Sequence, residues 1–96
     1  MMKKLTIICS SEIARRVERT LSTTGVRGFF HTQGTGTHVK EKSAYSHDMT
    51  WPADIYIVPT EEDKARIIID KLSAYADKCD IEPCLHLIVT PIEEFI

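Results

Sequence analysis

A run that is apolar on both faces, Lys3 to Cys9, leads directly into a capped helical repeat, and the same pairing recurs in the second half of the chain. In the first instance Leu5, Ile7 and Cys9 alternate with Thr6 and Ile8, the pattern of a strand central in its sheet. Ser10 or Ser11 offers a capping oxygen, Glu12 suits the positive helix start, and Ile13, Val17 and Leu21 recur at i, i+4, i+8 before Gly25 ends the helix. In the second, Ala53 to Val58 reads as a strand bounded by Pro52 and Pro59. Thr60 then caps a helix with Glu61, Glu62 and Asp63 in its first turn, Asp63 standing as the capping-box acid, and a stripe of Ala65, Ile68, Ile69, Leu72 and Ala76.

Two further strands complete the order. Val26 to His31 carries Phe29 and Phe30, residues that favour strands, and Cys84 to Thr90 puts Leu85, Leu87 and Val89 on one face and His86 and Ile88 on the other. The sequence therefore predicts an α+β, ferredoxin-like β-α-β-β-α-β sandwich, with two helices on one face of an antiparallel four-stranded sheet. A chain of 96 residues makes one domain, 1–96, and buries only about two-thirds of its unfolded surface. Two helices cover one sheet face, so the apolar residues of the other face predict self-association.

Composition narrows the function. No stretch approaches the roughly 20 apolar residues of a membrane span. The basic, briefly apolar N-terminus is cut off by Ser10, Glu12, Arg15 and Arg16 before a signal-peptide core forms, so a cytoplasmic location is expected. A net charge of -2, with Glu12 and Glu18 interleaved among Arg15, Arg16 and Arg19, gives no basic patch for nucleic acid. Cys9, Cys79 and Cys84 are an odd number and fit reduced thiols, Cys9 as a small core residue. No Gly-x-Ser-x-Gly, His-Glu-x-x-His, Walker or Rossmann motif is present, and Ser10 and Ser11 read as helix caps, so no enzymatic role is expected.

From Thr32 to Trp51 the periodicity fails, which predicts a flexible loop over about 34–50. Gly34, Thr35, Gly36 and Thr37 suit an anion, since glycines let amides approach and hydroxyls donate to oxygens, with His38 and Lys40 beside them. Ordinary loop chemistry is the plainer account of the same residues. His31, His38 and His47 gather around this loop and His86 lies on a strand, a scattered set that suits a transition metal or plain solvent exposure. Cys79, Cys84 and His86 form a second candidate group for a soft metal. Tyr45 and Trp51 are candidate protein anchors.

Several segments together resemble the PII signal-transduction superfamily. They are the capped helix after strand 1, Gly25-Val26-Arg27-Gly28 leading into strand 2, Gly34-Thr35-Gly36 at its end, Tyr56-Ile57-Val58-Pro59 before the second helix, and the closing Leu87-Ile88-Val89-Thr90-Pro91-Ile92-Glu93-Glu94-Phe95-Ile96. The resemblance implies a homotrimer with ligand sites between subunits, a nucleotide phosphate beside Gly34 and Gly36, and a loop that contacts a partner such as a transporter or an enzyme. The chain departs from the family at Asp77 to Cys84, which has no glycine, and in lacking basic residues after the last strand. It is thus similar to a divergent, PII-like regulator that binds a small anionic ligand. The alternative is a module resembling the cation-tolerance proteins, with metal on the loop histidines.

Overall fold

A computed structural model describes residues 1–38, 49–76 and 85–96. Strand β1 (Met2–Ser10) is followed by a 3-10 turn (Ser11–Ile13), helix α1 (Ala14–Thr24), β2 (Phe30–His38), β3 (Met49–Glu61), α2 (Glu62–Ala76) and β4 (Leu85–Pro91). The sheet order is β2-β3-β1-β4, and every neighbouring pair is antiparallel. This is the ferredoxin-like α+β architecture expected from the element order.

The doubly apolar β1 is central, as its pattern requires. Leu5 pairs with Val58 on one side and Val89 on the other, and Ile7 with Tyr56 and Leu87. Leu5, Ile7 and Cys9 face the helices and are buried with Val17 and Leu21 of α1 and Ile68 and Leu72 of α2. Ser10 caps the first turn by accepting from the Glu12 amide at 3.4 Å. Gly25 ends α1 at φ 83°, a left-handed conformation that a side chain rarely adopts.

The sheet is larger than the sequence pattern implies. Residues 34–38 and 49–50, expected in a flexible loop, are paired strand: Gly34 faces Ala53, Gly36 faces Trp51 and His38 faces Met49. Strand β2 also starts at Phe30 rather than Val26. Strand β3 runs through both prolines that were expected to bound it, and the register gives the reason. Pairing with β1 stops at Ala53, so Pro52 has only β2 beside it, and pairing with β2 stops at Ile57, so Pro59 has only β1. Each proline thus sits where the strand has one neighbour, and a missing N–H leaves no ladder bond unmade on the open side. Thr60 lies within β3 instead of capping α2, and Asp63 accepts from the next amide, Lys64, at 2.9 Å.

The face away from the helices carries two cross-strand rows. Phe30, Ile57, Thr6 and Ile88 form one, and Thr32, Ile55, Ile8 and His86 the next. Phe30, Ile57 and Ile88 are exposed.

Candidate functional site

Where β3 passes between β1 and β2, its inward-facing positions are Asp54, Tyr56 and Val58, in line with Cys9, Ile7 and Leu5. Alternation therefore drives a carboxylate into the layer between sheet and helices, and Asp54 is 2% exposed. A buried charge is tolerated only when its oxygens are occupied. Ser11, at the start of the turn before α1, donates its hydroxyl to Oδ1, and His31 of β2 holds Oδ2 through Nε2 at 2.5 Å.

Burial pushes the Asp54 carboxyl up, but hydrogen bonds from Ser11, His31 and Gln33 outweigh it and hold the group below its ordinary value. An ionised carboxylate only accepts, so Nε2 of His31 carries the proton and Nδ1 is left for other partners. The imidazole lies flat on Tyr56, centroids 4.4 Å apart and planes within 7°, and Phe29 meets Tyr56 edge-on at 5.5 Å. Among the described residues the buried Tyr56 hydroxyl has no hydrogen-bond partner. Burial first, then the charges of Glu18 and Asp54, hold that phenol far above its ordinary value. The same causes, burial and then Asp54, push the Cys9 thiol up to about 11.

This cluster fastens an edge strand, a central strand and a helix start to one carboxylate. It does not form a nucleophile-and-base pair, because Ser11 and His31 each bond Asp54. Sequence reasoning read Ser11 as a cap and passed over Asp54. The available signal was an acid at an inward position of an otherwise apolar strand, Ala53-Asp54-Ile55-Tyr56.

The residues singled out for anion binding lie on the arm that β2 and β3 form beyond this cluster. Gly34, Thr35 and Thr37 are exposed. A Cβ on Gly36 would stand 2.6 Å from Trp51 Nε1 and closer still to Cε2 and Cζ2, so the indole occupies the space over this glycine. Because β2 is an edge strand, alternate amides of the arm point away from β3. The backbone of His38 belongs to β2, while Lys40, Tyr45, His47, Cys79 and Cys84 lie outside the described residues.

The histidines on strands do not converge. His31 is on β2 facing the helices and His86 is on β4 facing away, three strand spacings or about 14 Å across the sheet. Among the described residues no three His, Cys, Asp or Glu side chains come together as metal ligands. Nor is any helix there long and apolar enough to cross a membrane.

No protein-family model matches the sequence, and no curated protein does. Among solved structures the fold is similar to that of the periplasmic divalent cation tolerance protein CutA from Archaeoglobus fulgidus. The TM-score is 0.69 at 17% identity, over 100% of this chain and 88% of that one.

Proposed function

We propose that this chain is a non-enzymatic, PII-like binding module that works as a cytoplasmic homotrimer. Its subunits meet through the sheet face that the helices leave open. A small anionic ligand, with adenine nucleotides the first class to test, binds at Gly34, Thr35, Gly36, Thr37, His38 and Lys40, and the segment beyond the arm contacts a protein partner. The observation that carries this reading is the pair of rows running across all four strands, with Phe30, Ile57 and Ile88 exposed on a face that no described element covers. Ile57 and Ile88 are 38% and 48% exposed and Phe30 70%, so covering them in a subunit contact gains, at each, part of the roughly 1.5–3 kcal/mol of a full burial. The paired arm supports the ligand half, since its edge amides and threonine hydroxyls are exposed to solvent.

Titration calorimetry of the intact assembly with adenine nucleotides and bicarbonate tests the ligand. Binding heat that falls on Thr35→Val and Lys40→Ala substitution supports it, and no heat with any of these anions removes it.

A second reading is favoured by one observation of geometry and one of likeness. The carboxylate behind Nε2 of His31 is the arrangement that orients a metal-binding imidazole, and the similar fold belongs to a protein named for divalent cation tolerance. In this reading the chain binds a divalent transition metal on its loop histidines, His38 and His47, or separately on His31, which lies seven residues from His38 along β2, about 23 Å. Unchanged copper and zinc affinity after replacing all three with Ala would eliminate it.

A further inference from the structure

At the end of the sheet away from the arm, a hollow of about 550 Å³ opens where the start of β2, the end of β3 and the C-terminal segment meet. Its volume falls within the range of small-molecule sites. All three phenylalanines border it, and two of them are widely open, Phe30 at 70% and Phe95 at 62% exposure. Two rings left so open beside one concavity present π faces to whatever enters.

The polar groups around it are unevenly matched. Arg27 and Lys64 both line the hollow, and Glu61 is the acid among the lining residues. Glu61 stands 3.9 Å from the chain's own terminal ammonium. The Lys64 ammonium donates to the Gly25 carbonyl at 2.8 Å, which fastens the first turn of α2 to the segment carrying Arg27 without neutralising the charge. Among the described residues neither Arg27 nor Lys64 has a carboxylate within ion-pair distance. Gly28, between Arg27 and Phe29 in the chain, also lines the hollow, and a Cβ there would meet nothing within 4 Å.

We propose that this hollow is a binding site for a planar aromatic anion: a ring held against Phe30 and Phe95, with a carboxylate, or an acid of like charge, on Arg27 and Lys64. The guanidinium takes two oxygens of an oxyanion at once, and the rings supply the apolar surface. The site is separate from the arm and does not depend on the ligand proposed there; Phe30 is also the outermost residue of the open-face row, so the hollow lies at the edge of the proposed subunit contact.

The test is an amide-resolved NMR titration of the full-length protein with 1-naphthoate, with 1-naphthalenemethanol and acetate as probes lacking the charge or the ring. The expected result is saturable shifts at Arg27, Gly28, Phe30 and Lys64 with naphthoate, at least tenfold weaker binding of both control probes, and a comparable loss on Arg27→Gln. Gly28→Leu fills the hollow from an unstrained position and should abolish binding while leaving the rest of the spectrum in place. Equal affinity for the alcohol, or binding indifferent to Arg27→Gln and Gly28→Leu, would overturn the proposal. So would shifts confined to Gly34–Thr37, or a fall in native mass on Arg27→Gln, which would make the hollow a contact between copies.

Discussion

His31 stacks on Tyr56 with the two ring planes 7° apart while its Nε2 is tied to Asp54, so one edge-strand imidazole is fixed both in the plane of its ring and at its edge. Its partners come from β3, and Asp54 also holds Ser11 at the start of the turn before α1. The cluster therefore joins three elements at the root of the arm.

Asp54→Ala should destabilise the fold by about 2 kcal/mol, since it strips an acceptor from Ser11 and His31 and leaves a cavity. Asp54 is held below the ordinary carboxylate value, so its contribution is fully present above about pH 4 and is lost as pH falls through the lower folded value. Urea unfolding between pH 7 and pH 2 should show a steeper acid loss in the parent than in Asp54→Asn.

Gly36→Ala should displace the indole of Trp51, because the added methyl needs the space the ring holds. A cost of about 1–3 kcal/mol is expected for this overpacking. The chain has a single tryptophan, so its emission should shift to the red, and Trp51→Leu in the same chain should recover most of the loss. An unshifted emission maximum would contradict the packing described.

Tyr56→Phe removes a buried hydroxyl that has no partner among the described residues and keeps the ring against His31. Unfolding free energy should stay level or rise by about 1 kcal/mol. A loss of that size would mean the hydroxyl is bonded in solution.

Much of this fold was legible in the sequence. The doubly apolar Lys3–Cys9 run announced a central strand, and Gly25 marked the end of α1. The arm was not legible, because Gly34-Thr35-Gly36-Thr37 reads as loop and becomes strand only through its pairing with Trp51 and its neighbours. Pro52 and Pro59 misled in the opposite sense, since proline is excluded from a strand only where both sides are occupied. The polar cluster was hidden by distance: Asp54 lies 43 residues from Ser11 and 23 from His31, and only the sheet brings them together.

The Cys9 thiol, buried and pushed up to about 11, should be inert in the folded chain. In a Cys79→Ser, Cys84→Ser variant at pH 8, labelling by an aromatic disulfide reagent should proceed only at the rate of unfolding. Rapid labelling without denaturant would contradict the burial.

Association through the open sheet face is the claim on which the proposed function rests, and native mass spectrometry of the purified chain tests it most directly. The account predicts a species of three times the 10.9 kDa chain mass that collapses to monomer on Ile57→Glu with Ile88→Glu. A monomeric parent at micromolar concentration, or a trimer indifferent to both substitutions, would contradict it.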